Sequence, residues 1–277
     1  MPIKDVLLTL TSYPDPSPVT VIEDAVSFAS SFGAHIAAIA CEARVEVPGS
    51  FLSGPLDVAG IAAGEARKSL KNARDLLASF EAAAGNAGLH HEKILERCVT
   101  YKVSDTFVQY ARLRDLAIVA VPESGDQQYA EAVIFGSGKP VLVFPERPRA
   151  RPFELNTVVV AWDFSRAAAR AITDAMPALE RAKQVRVVTV VNEKLLPGHS
   201  AEEVAKNLSR HGIDVTLDEV DAAARPIGEV LESHAASCSA DVLVMGAYGH
   251  SRLREFILGG ATRSLLARPP LPILFSH

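Results

Sequence analysis

The chain has 277 residues, 48% of them hydrophobic and 22% charged, enough for two domains of ordinary size, each with a core of its own. A formal net charge of -5 and a pI near 5.9 argue against a general nucleic-acid or anionic-membrane surface, because neither polyanion is attracted to an acidic molecule. Three isolated cysteines, Cys41, Cys98 and Cys238, lack C-x-x-C spacing and suggest neither a disulfide framework nor a zinc site.

Free thiols in a reducing compartment fit a cytoplasmic protein. The apolar run after Lys4 and Asp5 is too short for a signal peptide, and nothing reaches the roughly 18 uninterrupted apolar residues of a membrane span. Residues 5–10 predict a first buried strand, followed by a turn-rich loop holding Pro14, Pro16 and Pro18. Thr20 is the candidate cap of a helix over 21–32, where Val21, Ile22, Ala25, Val26, Phe28 and Ala29 recur at helical spacing and Gly33 ends the run. Residues 35–41 predict a second strand. The stretch 42–60 reads as a long irregular connection carrying Phe51 and Leu52, a candidate lid or contact surface. A long helix over 61–84, a strand over 94–99, a helix over 104–112 capped by Ser104, a strand over 116–121, a helix over 127–135 and a strand over 140–144 follow.

Residues 147–152 put prolines among charges and read as a linker between a domain at 1–146 and another at 153–277. The pattern then restarts, with strands over 157–161, 185–191, 215–219, 241–245 and 271–275 and helices over 165–179, 201–211, 226–237 and 261–267 between them. Residues 115–121 rhyme with 241–246, and 139–144 with 271–275, so the chain is a domain-scale duplication. Alternating strands and helices specify an α/β fold: two tandem Rossmann-like domains, each a five-stranded parallel sheet with helices on both faces. The last strand of each half is apolar and needs its edge covered.

The most informative stretch runs from the strand at 241–245 into Gly246 and Gly249, then nine residues, then Gly259 and Gly260 ahead of a helix. Glycines at a strand's carboxyl end let backbone N–H groups approach an anion, and the helix N-terminus offers free donors and the positive end of its dipole. Two donor clusters so spaced can clamp a polyphosphate; equally, the glycines can serve a turn and close helix packing. Ser251 and Arg252 follow Gly249 directly and can add a hydroxyl and a guanidinium. Asp163 closes the first strand of this half, where it can accept a hydrogen bond from adenine or ribose or simply order the turn, and Ser165 can cap the next helix.

Gly246-x-x-Gly249, nine residues, Gly259 and a small residue resemble the nucleotide loop of the ATP-binding branch of the universal stress protein family. The duplicated pattern looks like that of its tandem members, well in the second half and weakly in the first. The resemblance implies a strand order of 3-2-1-4-5 in each sheet. It implies last strands paired across a pseudo-twofold axis, internally in a tandem chain, so that the two halves form a pseudo-dimer. It also implies ATP, with Mg²⁺ if any metal, held by Asp163, by backbone at Val190 ending the second strand, and by the Gly246, Gly249 and Gly259 loop. In that branch the residue after the last glycine is usually Ser or Thr; here Gly260 leaves a backbone donor, with the nearest hydroxyl at Thr262.

The first half lacks these parts. It has Thr11, Ser12 and Tyr13 where an Asp is wanted; Glu123 and Asp126 repel phosphate; and Gly136, Ser137 and Gly138 follow a helix instead of preceding one. One nucleotide site per chain is therefore expected, with the first pocket empty or taking something else. No Gly-x-x-x-x-Gly-Lys-Ser/Thr motif, Gly-x-Gly-x-x-Gly after a first strand, or nucleophile triad is present, so hydrolysis is at most slow. Two readings stay open: a stress-response protein that binds ATP or another adenine nucleotide and acts through conformation or partners, and a scaffold of the same fold that binds none. A further homodimer would use Phe51, Leu52 and the helix containing Ile61.

Overall fold

The computed structural model describes residues 2–44, 46, 57–124, 126–147, 153–191, 201–247 and 260–277. The first half runs β1 (Asp5–Leu10), α1 (Val19–Phe32), β2 (His35–Arg44), α2 (Val58–Asn86), β3 (His91–Val99), a 3-10 turn (Thr100–Lys102), α3 (Val103–Ala111), β4 (Leu116–Val121), α4 (Gln128–Gly136) and β5 (Val141–Pro145). The second half runs β6 (Thr157–Ala161), α5 (Arg166–Leu179), β7 (Gln184–Val191), α6 (Glu202–Arg210), β8 (Val215–Asp221), α7 (Ile227–Ser237), β9 (Val242–Gly246), α8 (Gly260–Ala267) and β10 (Ile273–Ser276). Every residue of β4 is buried, as a continuous apolar run flanked by helices on both faces requires.

The strands form one ten-stranded sheet in the order β3-β2-β1-β4-β5-β10-β9-β6-β7-β8. Each half thus keeps the 3-2-1-4-5 order. The halves join where β10 lies antiparallel to β5, with Phe275 opposite Val141, Leu274 opposite Leu142 and Ile273 opposite Val143. These six side chains are fully buried, each worth about 1.5–3 kcal/mol against exposure, so two apolar edges become sheet interior. The outer edges β3 and β8 instead carry Glu92, Lys93 and Arg97, and Thr216 and Glu219, as exposed residues that discourage further pairing.

One core lies on each face. Val6, Leu8, Phe28, Phe80, Val160 and Ile172 belong to the first, and Leu7, Phe107, Val119, Val159, Leu243 and Leu265 to the second. Neighbouring strand residues alternate between the two, as the pleat dictates.

The duplication extends to individual hydrogen bonds. Asp115 Oδ2 accepts from the N–H groups of Lys4 and Asp5 at 2.8 and 3.0 Å, and Asp241 Oδ2 from those of Asn156 and Thr157 at 2.9 Å each. In both halves the carboxylate at the foot of the fourth strand pins the start of the first.

Two helix caps differ from expectation. Helix α1 starts at Val19 after Pro18, so Thr20 lies inside it, its hydroxyl buried and without a partner among the described residues. The preceding loop is already closed by Thr11 and Ser17, which leaves no turn for Thr20 to cap. Helix α3 begins at Val103, whose side chain is buried, and Lys102 precedes it without a side-chain cap, so Ser104 is not the cap. Of the linker at 147–152 only Arg147 is described; its guanidinium donates to the Pro270 carbonyl. Phe51 and Leu52 fall outside the described residues, while Ile61 is an exposed apolar side chain. Among the described residues no helix is long and apolar enough to cross a membrane.

Candidate functional site

Strands β6, β7 and β9 lie side by side and parallel, with Val160 opposite Val244 and Ala161 opposite Val188. Their carboxyl ends therefore share one edge of the sheet. Because β9 and β10 are also parallel, α8 must run back between them, which puts its N-terminus at that same edge. The topology thus brings Asp163, Val190, Gly246 and Gly260 to one edge of the sheet, the candidate crevice.

Asp163 follows β6 and is exposed. Its Oδ1 accepts from the Ser165 N–H at 3.0 Å, and Ser165 Oγ accepts from the Ala168 N–H at 3.0 Å to cap α5. Ordering the turn is thus one role of Asp163. Its second oxygen has no partner among the described residues. Between these two residues Phe164 adopts φ 62°, a left-handed conformation costing a bulky side chain on the order of 1 kcal/mol. Packing of Phe164 against Trp162, ring centroids 5.6 Å apart, helps hold it there, and the result is a carboxylate turned to solvent. The Trp162 indole nitrogen is buried without a partner among the described residues.

Val190 is 8% exposed, one residue before the end of β7, so its side chain is core and its backbone is what it can offer the crevice. Gly246 ends β9, and a Cβ there would lie 2.5 Å from the Ala167 carbonyl carbon and 2.7 Å from the Ala168 nitrogen. This glycine is required by the close approach of α5. At Gly260, by contrast, a Cβ meets nothing within 4 Å among the described residues. Thr262 is 4% exposed, a buried face of α8, while Arg263 is exposed. Gly249, Ser251, Arg252 and Gly259 lie outside the described residues.

At the corresponding edge of the first half, the ends of β1 and β2 are tied to α2. Ser12, 4% exposed, donates to the Cys41 carbonyl, which leaves Ser69 as donor to Ser12 Oγ at 2.8 Å; Ser69 Oγ also accepts the Ala43 N–H at 2.9 Å. Asn72 donates to the Ser12 carbonyl at 3.1 Å. Ser69 and Asn72 come from α2, so this helix is stitched across the ends of β1 and β2. Gly136 ends α4 and Gly138 follows it at φ 66°, so both glycines stand at a helix C-terminus. Acidic groups gather at the same edge: burial, then the charges of Asp15 and Glu123, pushes the Glu146 carboxyl up to about 7.

The Ser12, Ser69 and Asn72 network was not apparent from the sequence, since residues 57 and 60 positions apart carry no periodic signal. A second polar group, away from the crevice, joins Arg186 to Asp218 through two hydrogen bonds of 2.8 and 2.7 Å, with His234 Nε2 3.2 Å from Asp218. It ties β7, β8 and α7 together.

A family model described as the Universal stress protein family matches residues 154–277. Among solved structures, a universal stress protein of Archaeoglobus fulgidus DSM 4304 is 16% identical, with 98% of this chain and 95% of that one covered at a TM-score of 0.71. A protein of Pseudomonas aeruginosa UCBPP-PA14 named for the same family is 14% identical, with 99% and 93% covered at a TM-score of 0.59. At such identities these likenesses establish the fold over the whole chain. No curated protein sequence matches this one.

Proposed function

With residues 154–277 a domain of the universal stress protein family, we propose that this half binds one adenine nucleotide, ATP by preference, in the crevice at the ends of β6, β7 and β9. The observation that carries the reading is the Phe164 turn, which holds the Asp163 carboxylate exposed, one oxygen without a partner among the described residues, at the edge shared by the end of β7 and the start of α8. Asp163 takes a ribose hydroxyl or the adenine amino group, and the Val190 backbone lines the base. The N-terminus of α8 at Gly260 takes the phosphates, and the sequence offers Gly249, Ser251, Arg252 and Gly259 as further donors, while buried Thr262 holds the helix. Mg²⁺ enters with the nucleotide if at all. No base for attack on a γ-phosphate is evident in the sequence, so binding rather than turnover is the activity: a cytoplasmic stress-response protein that signals through conformation or partners. The first half is the structural member of the pseudo-dimer.

The scaffold reading draws on Gly246, whose absent side chain is already explained by helix packing. Calorimetric titration of ATP into wild type, Asp163→Ala and Gly260→Val separates the two readings. Saturable binding near one per chain, weakened in both variants, supports the nucleotide site. No saturable binding to wild type, with no nucleotide released on denaturation, leaves the scaffold.

A further inference from the structure

Strands β2 and β3 pair with Cys41 opposite Glu96 and Ala43 opposite Cys98, so the two cysteines sit on the same sheet face, diagonal to one another. Both pack in the core covered by α3 and α4, beside Phe107 and Ala130. Each thiol lies near enough to bias the titration of the other. Cys41 is 2% exposed, whereas Cys98, near the end of an edge strand, is partly open to solvent. A buried thiol thus stands behind an accessible one.

We propose that Cys98 and Cys41 form an oxidative modification site that reacts with a hydroperoxide and closes to an intramolecular disulfide. The Cys98 sulfur attacks one peroxide oxygen, the O–O bond breaks, and a sulfenic acid forms as water or an alcohol leaves. The Cys41 sulfur then attacks the Cys98 sulfur, forming the S–S bond, while the sulfenic oxygen departs with the Cys41 proton as a second water. The two thiols supply the two electrons that reduce the peroxide.

The division of labour follows from the surroundings. The Cys41 thiol beside it, helped by Thr106, holds Cys98 below the usual thiol range against burial and the Glu96 charge. Cys41 is pushed the other way by the neighbouring Cys98 thiol, by burial and by the Glu96 charge. Glu96 accepts from the Tyr110 hydroxyl, and Tyr129 also faces the pair, its phenol pushed up chiefly by burial. Diagonal positions in a sheet lie roughly 7–8 Å apart at Cα, while a disulfide takes about 4.4–6.8 Å. Closure therefore draws β3 toward β2. An edge strand with one neighbour can yield, and the strained bond is readily reduced again.

The test treats the reduced full-length chain with stoichiometric hydrogen peroxide, alkylates it, and maps the peptides by mass spectrometry without reduction. The expected result is a Cys41–Cys98 cross-linked peptide with Cys238 still alkylated. In Cys41→Ser, Cys98 should halt as a sulfenic acid captured by dimedone; in Cys98→Ser, Cys41 should remain a thiol. Alkylation before peroxide should label Cys98 about tenfold faster than Cys238, whose thiol burial pushes up. Retention of both free thiols in oxidised wild type, or oxidation of Cys238 ahead of Cys98, overturns the proposal. The wild-type peptide map decides this without depending on how either variant folds.

Discussion

Thr11 comes six residues after Asp5 and Asp163 six after Thr157, and Asp5 and Thr157 pair with the first residues of β2 and β7, so Thr11 and Asp163 hold the same place in the two halves. Thr11 spends its hydroxyl on Ser17, 2.7 Å away, closing its own loop, and Ser12 beside it is tied to α2. Asp163 spends one oxygen on its turn and keeps the other at the surface. By the same register Cys41 stands where Val190 stands; its carbonyl is taken by Ser12. One architecture thus yields strand ends tied to a helix by hydroxyls in one half and strand ends with an acceptor exposed in the other. The lesson is that backbone topology sets where a ligand can sit, and a handful of short polar side chains at strand ends decide whether the place is vacated or filled.

The sharpest way to break the comparison is at the glycines. Gly246→Val should cost about 3 kcal/mol or more, because the new side chain meets the backbone of α5. Gly260→Val should stay within about 1 kcal/mol, since its Cβ meets no described residue within 4 Å. Urea unfolding of both variants checks this. Equal losses would show that Gly260 is held by packing after all, and would disqualify it as a probe of phosphate binding.

Next in size are the paired carboxylates. Asp241 is fully buried and Asp115 partly exposed, so Asp241→Ala should destabilise by about 3 kcal/mol and Asp115→Ala by about 1–2, each orphaning two N–H donors. Urea midpoints in the reverse order would mean that burial does not set the strength of this duplicated latch.

Asp163→Ala should weaken ATP at least about tenfold, roughly 1.4 kcal/mol, while Thr11→Ala leaves affinity unchanged. Calorimetry that found the two variants alike would place the nucleotide elsewhere or nowhere.

The smallest effect concerns Glu146. A cavity of about 530 Å³ opens between the halves, lined in part by Glu123, Glu146, Glu229, Glu232, Arg147 and Arg268. With the Glu146 carboxyl pushed up to about 7, the folded chain holds a proton that the unfolded chain releases at lower pH. Stability from this group is full below the ordinary glutamate range and is lost as pH rises through about 7. Glu146→Gln should flatten that part of the stability profile, by about 1 kcal/mol between pH 5 and 8 after allowing for solvent screening. Thermal melts across that range that fall as steeply in the variant as in wild type would refute it.

Much of the fold was legible because it is written in local periodicity. Residues 116–121 and 157–161 were bounded as strands from their apolar runs alone, and the restart of the pattern after residue 152 disclosed the duplication. Element ends were less legible: β2 continues to Arg44 and β8 to Asp221, because pairing with a neighbouring strand extends them past the apolar residues. The candidate crevice was legible in outline, since strand ends and glycine loops have local signatures. What fills its counterpart was not. Ser12 reads as a loop residue until Ser69 and Asn72, one helical turn apart on α2, are laid over it. Nor could spacing alone reveal that Gly246 is demanded by Ala167, a neighbour distant in sequence.

The antiparallel ladder between β5 and β10 also bears on how such a molecule changes over generations. Were the same ladder to join two identical chains, every altered residue would appear twice, once in each crevice, and loss of a ligand in one would be loss in both. Joining the halves within a single polypeptide removes that constraint, so a replacement at Thr11 leaves Asp163 untouched. Asymmetry then accumulates at the strand ends while the shared ladder stays under common restraint.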